Sequence, residues 1–364
     1  MKVEDSNKPI RIAQIIGKWN GGGVESVVMN YYRHIDRNRF QFDFIIDEDS
    51  RNVPIEKIEK LGGRIIFVPP YQKPFKYIRA LKKVFKENKY RIVHSHINTL
   101  SVFPLYAAKK VGVKVRIAHS HSTTNKKEPL RNFLKNFLRL FSKKYATDYF
   151  ACSELAGRYQ FGNKAFDQGK VTIIHNAIDI EKFKPNKKIR EEIRKEFGAK
   201  EDTLVIGHVG RFVKTKNHKF LVNIFNEVHK QNPNSILVLA GEGPLLLQTI
   251  NQVKKLGLEK SVKFLGQRKD IEKVYQAMDV FCLPSLYEGF GMVALEAQVA
   301  GIKCICSENI PTIMNSKNIK LRHTHTWITE ILRKDKQRFF QLHDEYNIEI
   351  EKNKLQNLYI RRSK

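Results

Sequence analysis

The chain alternates short apolar runs with helix-length amphipathic segments almost from end to end, and this pattern constrains its fold more than any other feature. The apolar runs of the first half have the length of strands: Ile10–Ile16, Phe42–Ile46, Arg64–Val68, Ile92–His94, Val115–His119, Asp148–Ala151 and Val171–Ile174. Amphipathic segments such as Val24–His34 and Tyr77–Asn88 separate them. Strands that alternate with helices in this way predict a parallel sheet with crossover helices.

A polar stretch at 176–188, with Pro185 and few apolar residues, interrupts the pattern and is typical of a linker. The strand-like runs then restart: Leu204–Val209, Ile236–Ala240, Val262–Leu265, Val280–Leu283 and Cys304–Cys306. A length of 364 residues suits two domains of about 150 residues each. We therefore predict an α/β protein with two Rossmann-like, doubly wound domains, 1–180 and 181–334, that face a ligand cleft. A charged tail, 335–364, is expected to be helical in part.

The formal net charge of +29 is unusual, whereas 41% hydrophobic and 28% charged residues are ordinary values. Such a charge predicts attraction to an anionic partner: nucleic acid, an acidic membrane surface or a phosphorylated substrate. The chain starts with polar residues, and no apolar run approaches the 18 or so residues that span a bilayer. We expect a cytoplasmic protein. Its four cysteines fit no zinc or redox spacing and are expected to be reduced and buried.

The strongest functional pattern follows the strand Val280–Leu283. A turn with the sequence Glu-Gly-Phe-Gly, starting at Glu288, leads into a helix that carries Glu296. A strand, a glycine-bearing turn and a helix N-terminus bring backbone N–H groups to one point, which suits a phosphate. The two carboxylates bracket the turn and are suited to accept hydrogen bonds from sugar hydroxyls. The alternative is an ordinary helix N-terminus with surface glutamates.

Two further loops follow strands of the second half. Gly210 ends a strand and is followed by Arg211 and Lys216, which are spaced across a turn and suit a diphosphate, since arginine offers a fork and lysine a point charge. Their alternative is two solvated surface cations. Gly241 and Gly243 follow the next strand and allow a ligand to approach the backbone, although this pattern alone is weak.

In the first half, the strand Ile10–Ile16 leads into three consecutive glycines, 21–23, followed by Glu25. Three glycines let the backbone adopt positive φ and approach a ligand, and the alternative is a flexible strand-to-helix turn. Histidines occur in pairs at two further strand ends: His94, His96, His119 and His121. A single histidine is more often structural, but two pairs at neighbouring strand ends indicate a site where histidine hydrogen-bonds a sugar or phosphate.

Together these loops resemble the retaining glycosyltransferases of family 4, whose GT-B fold has two Rossmann-like domains. Glu288 and Glu296 match the family's E-x7-E motif, and Arg211 and Lys216 match its Gly-Arg-x4-Lys element. Further matches are Gly241-Glu242-Gly243-Pro244, Phe264-Leu265-Gly266 and Asn176-Ala177-Ile178-Asp179 with Phe183. The likeness spans about residues 10 to 310, but after Gly301 the family's glycine-rich segment is replaced by Glu308-Asn309-Ile310-Pro311-Thr312.

The resemblance implies roles for these residues. Glu296 would hold the ribose hydroxyls of the donor, and Glu288 would contact the transferred sugar. Arg211 and Lys216 would stabilise the diphosphate as it leaves. The resemblance further implies donor contacts from the loop glycines and the turn, namely Gly22, Gly23, Gly210, Gly241, Gly243, Gly289, Phe290 and Gly291. His119 matches a family histidine beside the reacting sugar, His121 is the close alternative, and Glu25 is a further candidate for a sugar or acceptor contact.

The reaction so implied transfers a hexose from a nucleoside diphosphate sugar to a sugar hydroxyl, with retention of the anomeric configuration, in surface or capsular polysaccharide assembly. One alternative is a sugar-nucleotide epimerase of the same fold, which should lack this arrangement of Arg211, Lys216, Glu288 and Glu296. The other is a non-enzymatic protein that binds polyanions, which would leave these motifs without a purpose. We expect no cofactor.

A candidate metal site is Asp47-Glu48-Asp49, which has the D-x-D form of the GT-A glycosyltransferases. No other oxygen ligands lie nearby in sequence. Arg211, Lys216 and helix ends are able to offset phosphate charge instead. We therefore expect no metal.

The positive charge is concentrated in two stretches of the first half, 73–91 and 126–144. In the second, Arg131, Lys135, Arg139 and Lys143 recur every four residues, opposite an apolar arc that consists of Leu130, Phe133, Leu134, Phe137, Leu138 and Phe141. Such a helix suits an anionic membrane interface or an ordinary surface with a solvated basic face. Because the sequence lacks nucleic-acid motifs, we expect a peripheral protein at the inner face of the membrane, acting on a lipid-linked acceptor.

Overall fold

The computed structural model describes residues 8–121, 136–308, 310, 318–333 and 344–363. The chain divides into two compact units. Unit 1 comprises Met1–Ile178 and Asp344–Lys364, and unit 2 comprises Asp179–His343. The division lies two residues before the predicted one, and the end of the charged tail belongs to unit 1. No helix among the described residues has the length and hydrophobicity needed to cross a bilayer.

Unit 1 contains a parallel sheet of seven strands in the order β3-β2-β1-β4-β5-β6-β7. The strands are β1 (Ile10–Gly17), β2 (Phe40–Asp47), β3 (Arg64–Val68), β4 (Ile92–Ser95), β5 (Val115–Ser120), β6 (Asp148–Ala151) and β7 (Val171–Ile173). Its helices are α1 (Gly23–His34), α2 (Ile55–Lys60), α3 (Pro74–Asn88), α4 (Val102–Lys110), α5 (Glu154–Phe161), α6 (Asn163–Asp167) and, at the chain end, α14 (Ile348–Ser363). The strand order reverses between β1 and β4, which makes the carboxyl ends of these strands a favoured ligand position.

Unit 2 contains a parallel sheet of six strands in the order β10-β9-β8-β11-β12-β13. The strands are β8 (Leu204–Val209), β9 (Ser235–Ala240), β10 (Val262–Gly266), β11 (Val280–Leu283), β12 (Lys303–Ser307) and β13 (Asn318–Leu321). Its helices are α7 (Ile180–Phe183), α8 (Lys187–Phe197), α9 (His218–Gln231), α10 (Leu246–Lys255), α11 (Ile271–Ala277), α12 (Met292–Val299) and α13 (Thr324–Leu332). Here the order reverses between β8 and β11.

Burial follows the periods seen in the sequence. Every residue of β2 is buried, as expected for a parallel strand covered on both faces. Helix α1 buries a stripe that includes Val27, Val28, Tyr31 and Tyr32. The four cysteines are free thiols in buried positions. The predicted doubly wound parallel fold is confirmed, and most strand ends lie within one or two residues of those predicted.

Two elements differ from the sequence prediction. Helix α7 was not predicted: it lies within the polar stretch 176–188, where the chain passes from unit 1 to unit 2, and it buries Ile180 and Phe183. Near the end of this polar stretch, the Asn186 side chain accepts a hydrogen bond from the N–H of Ile189 at 3.0 Å and so caps the N-terminus of α8. Strand β13 was not predicted, since it is a four-residue edge strand with polar residues. Most of the segment that departs from the family pattern, Asn309 and 311–312, lies outside the described residues.

Candidate active site

The loops after β8 and β9 in unit 2 are joined by backbone hydrogen bonds. Phe212 N–H donates to Glu242 O at 2.9 Å, and Leu245 N–H donates to Phe212 O at 2.9 Å. A Cβ on Gly241 would lie 2.2 Å from Gly210 O, and one on Gly243 would lie 2.6 Å from Phe212 O. Both glycines have positive φ, so that packing between the two loops already requires glycine at these positions.

The loops after β8 and β11 meet through side chains and backbone. Lys216 Nζ lies 2.5 Å from Glu288 Oε1, and Ser285 Oγ donates to the same oxygen at 2.6 Å. Leu286 N–H donates to Thr215 O at 2.8 Å. The structure therefore brings together a cation and a carboxylate that lie 72 residues apart in the sequence. Both side chains of the ion pair are mostly buried, which strengthens their attraction relative to a surface pair.

Arg211, the other predicted cation, is exposed. Among the described residues it makes no ion pair, whereas Lys216 is held by Glu288. An exposed guanidinium next to the Lys216 loop is free to bind a diphosphate with its fork of N–H donors.

Glu296 lies on α12, where its carboxylate accepts a hydrogen bond from the Tyr275 hydroxyl at 2.9 Å. Burial raises the pKa of Glu296 to about 7; the hydrogen bond from Tyr275 lowers this pKa, Glu272 raises it and Lys216 lowers it. Helix α12 begins after Gly291, which has φ +87°. The predicted turn, with Gly289, Phe290 and Gly291, therefore lies at a helix N-terminus, where backbone N–H groups lack helical partners.

Two histidines near the β8 loop were missed by sequence reasoning. His208 in β8 and His218 at the start of α9 are buried, and their ring centroids lie 4.7 Å apart. Burial lowers the pKa of His218 to about 4 and holds the pKa of His208 well below its usual range. A Cβ on Gly210 would lie 3.0 Å from His208 Nε2 and 3.4 Å from the Lys216 side chain. Gly210 therefore leaves room between a neutral ring and the site lysine.

In unit 1, Glu25, a candidate for a sugar or acceptor contact, hydrogen-bonds the backbone of the glycine-rich loop. Its Oε1 accepts the N–H of Asn20 at 2.9 Å, and its Oε2 lies 2.9 Å from the position of a Cβ on Gly22. Gly23 is the first residue of α1, and Gly21 has φ +68°. Sequence reasoning proposed Glu25 as a sugar contact and missed this contact with the loop backbone.

The four histidines form one buried cluster with Gln14 and Tyr359, which we call the histidine cluster. Its ring-to-ring hydrogen bonds join His94 Nε2 to His119 Nδ1 at 3.1 Å and His96 Nδ1 to His121 Nε2 at 2.9 Å. Three of the four outer nitrogens meet oxygen atoms: His94 Nδ1 lies 2.7 Å from Tyr359 Oη, His96 Nε2 lies 2.7 Å from Gln14 Oε1, and His121 Nδ1 lies 3.1 Å from Asn176 Oδ1. The fourth, His119 Nε2, is buried without a hydrogen-bond partner among the described residues.

Burial makes the histidine cluster neutral. It lowers the pKa of His121 to about 4 and holds the pKa values of His94, His96 and His119 well below the usual range, with neighbouring rings adding to the shift. His119 lies within β5, and His121 directly follows the strand. Neutral rings offer hydrogen bonds without a charge, which suits a sugar hydroxyl better than a phosphate.

The D-x-D residues do not gather other metal ligands in the described parts of the chain. Both oxygens of buried Asp47 lack hydrogen-bond partners there, and burial, followed by Asp49, raises its pKa to about 7. Asp49 pairs with Lys18. The group with metal-ligand spacing is His94, His96 and His119, with ligand atoms within 4.8 Å of one another. Ring-to-ring hydrogen bonds already occupy nitrogens of these rings.

Comparisons with known proteins agree with this geometry. The family model "Glycosyltransferase Family 4" matches residues 21–182, and "Glycosyl transferases group 1" matches residues 189–330. EpsF of Bacillus subtilis, described as a glycosyltransferase, is 37% identical over 308 residues, which are 82% of this chain and 79% of that protein. The UDP-Gal:alpha-D-GlcNAc-diphosphoundecaprenol alpha-1,3-galactosyltransferase of Escherichia coli is 27% identical, over 84% of this chain and 81% of that protein.

The fold matches solved structures as well. The crystal structure of Anabaena HepE in complex with UDP and glucose superposes with a TM-score of 0.71 at 18% identity, over 96% of this chain and 95% of that one. The two family models occur in the order of the two units, and a relative 37% identical covers most of both chains. The chain therefore belongs to glycosyltransferase family 4, with the two Rossmann-like domains of the GT-B fold.

Proposed function

We propose that this glycosyltransferase transfers a hexose from a nucleoside diphosphate sugar to a sugar hydroxyl of a lipid-linked acceptor, with retention of configuration, in surface or capsular polysaccharide biosynthesis. The observation that carries the proposal is the contact of Lys216 with Glu288 at 2.5 Å, close to the N-terminus of α12. The proposal is supported because a lysine suits a diphosphate and a carboxylate suits sugar hydroxyls, and the two lie side by side here. UDP is the first nucleotide to test, because the similar HepE structure contains it.

Unit 2 would bind the donor by charge. Lys216 and Arg211 would bind the diphosphate and stabilise the negative charge that develops as it leaves, a preorganised electrostatic effect that is often the largest catalytic term. Lys216 would then exchange a contact with Glu288 for a contact with phosphate. That exchange would free Glu288 to accept hydrogen bonds from the transferred hexose. Glu296 would accept hydrogen bonds from the ribose hydroxyls in the same way.

Unit 1 would contribute neutral hydrogen-bond groups. His119 and His121 are uncharged near neutral pH because burial lowers their pKa values. We propose a lipid-linked acceptor because the E. coli relative is named for a saccharide on a diphosphoundecaprenol lipid. We assign this acceptor to unit 1 because uncharged rings suit neutral sugar hydroxyls. Retention follows from the resemblance to family 4. We also propose that transfer needs no metal, since Lys216 and Arg211 would take the diphosphate charge.

A panel of nucleoside diphosphate sugars tests the donor assignment. A ligand that binds only the folded state raises the melting temperature by an amount that depends on its concentration relative to Kd. We expect one or more UDP-, GDP- or ADP-sugars to raise it, and we expect Glu296→Ala to reduce the shift at the same ligand concentration. Lys254→Ala, an exposed lysine of α10, serves as the control and should keep the shift. If no sugar nucleotide shifts the wild type, the proposed function is wrong.

We also propose that an anionic membrane surface holds unit 1, and α3 supports this in the described part of the chain. Its outward face carries the exposed residues Lys76, Arg79, Lys83 and Lys86. Phe75, at its first turn, is 89% exposed. A basic face with an exposed aromatic ring suits an anionic lipid interface. In the predicted helix 126–144, Arg131 and Lys135 lie outside the described residues.

The described end of that second stretch gives further support. In the predicted apolar arc, Phe137 is 52% exposed and Leu138 is buried, so the core covers this part of the arc only partly. Leu140, which lies outside the predicted arc, is 71% exposed. Lys143 is exposed, and Arg139 lies over the Tyr159 ring. Exposed apolar side chains beside basic ones favour a membrane contact over a purely solvated face.

Sedimentation with phosphatidylglycerol vesicles tests the membrane proposal. Each basic residue near an anionic surface contributes about 1 kcal/mol, so reversal of Lys76, Arg79, Lys83 and Lys86 to Glu should reduce binding by at least 100-fold. A matched control reverses four exposed lysines of unit 2: Lys195, Lys254, Lys255 and Lys260. Binding should weaken at 1 M salt, where the Debye length is about 3 Å. If the wild type stays in the supernatant at low salt, or the two reversals act alike, the proposed surface is wrong.

A further inference from the structure

The hydroxyl of Tyr275 links two helices of unit 2. It lies on α11 and reaches Glu296 Oε2 on α12 at 2.9 Å, with Val293 O at 3.2 Å as a second acceptor. A tyrosine has one hydroxyl proton to donate. A carboxylate is the stronger acceptor, because hydrogen bonds to ionised groups are roughly twice as strong as neutral ones. The proton therefore goes to Glu296 when that group is ionised.

The ring of Tyr275 is fixed in place. The residue is fully buried, and its ring packs against Phe183 of α7 at 5.8 Å and Phe281 of β11 at 5.6 Å between centroids. The hydroxyl is thus held at one position before any ligand arrives. Among the described residues, Glu296 Oε2 accepts the Tyr275 hydrogen bond and Oε1 accepts none, while the residue as a whole is half-buried. One carboxylate oxygen is therefore held, and the other keeps its capacity to accept a hydrogen bond. This is the arrangement by which a supporting residue orients a binding group.

We infer that Tyr275 is a positioning residue for the donor nucleotide: it holds one oxygen of Glu296, favours the ionised carboxylate and leaves the other oxygen to the ribose hydroxyls. The inference rests on the proposed function of Glu296. It adds a residue that contacts no ligand itself and lies outside the motifs recognised in the sequence. It also makes donor binding depend on pH through a single carboxyl group.

The direction of this pH dependence follows from the environment of Glu296. Burial raises its pKa to about 7, while the Tyr275 hydrogen bond lowers the pKa and so opposes burial. Glu272 raises the pKa and Lys216 lowers it. Removing the Tyr275 hydroxyl should therefore raise the pKa further and leave more of the neutral acid near pH 7. The neutral acid is a weaker acceptor for ribose hydroxyls.

The test measures the affinity of the full chain for UDP by calorimetry between pH 6.5 and 9. Wild-type affinity should rise with pH around a midpoint near 7. Tyr275→Phe should move the midpoint up by about one pH unit, a typical effect of one hydrogen bond to a carboxylate. Its affinity should then be about fivefold weaker at pH 7 and within about twofold of wild type at pH 9. A loss of packing alone would weaken binding by the same factor at every pH.

Three controls complete the test. Tyr77→Phe removes a hydroxyl that is buried and unpartnered among the described residues, and it should leave the profile unchanged. Glu296→Gln should remove the pH dependence apart from that of UDP itself. Tyr275→Phe added to Glu296→Gln should then have no further pH-dependent effect. A Tyr275→Phe profile parallel to wild type overturns the inference alone. Failure of UDP, GDP and ADP to bind the wild type at any pH overturns the proposed function as well.

Discussion

The carboxyl ends of the two sheets differ in how they carry polar groups. In unit 2, Lys216 and Glu288 form an ion pair and Arg211 is exposed. In unit 1, four buried histidines hydrogen-bond one another, and burial lowers their pKa values so that the rings are neutral near pH 7. One unit therefore offers full charges and the other offers neutral donors and acceptors.

This difference suits the chemistry of the two substrates of the proposed transfer, a charged sugar nucleotide and a neutral saccharide hydroxyl. A diphosphate carries charge that develops further as it leaves, and opposite charge stabilises it. A saccharide hydroxyl is neutral, and a protonated imidazole buried beside it would cost free energy without a counter-charge. Four charged rings within one cluster would also repel one another, as the mutual lowering of their pKa values indicates. We infer that charge is concentrated where phosphate binds.

The largest expected effect comes from removing the cations of unit 2. Arg211→Ala/Lys216→Ala should lower kcat by about 1,000-fold or more, because loss of a single preorganised group at such a site typically costs about 100- to 1,000-fold. Steady-state kinetics with the donor found by the panel would measure it. The matched control is Lys219→Ala/Lys254→Ala, which removes two exposed lysines of the same unit. Full activity of the first variant would refute the proposal that Arg211 and Lys216 bind the diphosphate, and with it the contrast between the units.

Substitution of Glu288 should mainly lower turnover, whereas substitution of Glu296 should mainly weaken donor binding. Glu288→Ala should lower kcat by about 100-fold, because Glu288 is proposed to contact the sugar during transfer. Glu296→Ala should mainly raise the KM for the donor, by about tenfold, because a ribose contact is made equally in the ground state and the transition state. The ratio of the two effects is measured from kcat and KM of both variants. The same pattern for both glutamates would contradict their separate roles.

Acid should destabilise unit 1 through its histidines. Their folded-state pKa values lie below the unfolded value of about 6.5, so the unfolded chain binds more protons as pH falls. The stability they contribute is present above pH 6.5 and is lost as pH falls toward 4, about 3 kcal/mol for His121 alone. Thermal melts at pH 7.5 and 5 should differ by several degrees. His121→Gln should reduce the difference. The matched control is His325→Gln, which replaces an exposed histidine of α13 in unit 2 and should keep the difference.

Much of the fold was predictable, because local patterns determine it. Burial of every residue makes β11 a continuous apolar run, and its limits, Val280 and Leu283, are visible in the sequence. The site residues Lys216 and Glu288 were predicted from separate loops, and the doubly wound topology brings both loops to the same sheet edge. Strand β13 was missed because a short polar edge strand has no apolar run to mark it.

Contacts between elements were not predictable. The Tyr275 hydroxyl reaches Glu296 from another helix, and only the packing of α11 on α12 creates that contact. Glu25 was a candidate for a sugar or acceptor contact, which stays a prediction, and the structure adds a hydrogen bond that its carboxylate accepts from the backbone N–H of Asn20. Gly241 and Gly243 were assigned to donor approach, and the structure adds a packing reason, because a Cβ at either position would meet the backbone of the neighbouring loop. Side-chain partners of this kind depend on three-dimensional distance, which no spacing in the sequence gives.

The smallest expected effect is that of chelation. If Lys216 and Arg211 offset the diphosphate charge, exhaustive treatment with EDTA should leave kcat and KM within about twofold of the untreated enzyme, because the site lysine already supplies a positive charge. Asp47→Asn should likewise have little effect on kcat, since Asp47 is buried with a pKa raised to about 7, and metals bind the deprotonated carboxylate.

Activity that is lost on chelation and restored by Mg²⁺ or Mn²⁺ would instead indicate that Asp47 and Asp49 bind a catalytic metal ion. Restoration by Zn²⁺ alone would point instead to nitrogen ligands, which zinc prefers, and so to His94, His96 and His119. In that case the histidine cluster would carry a charge, and the contrast between a charged unit 2 and a neutral unit 1 would no longer hold.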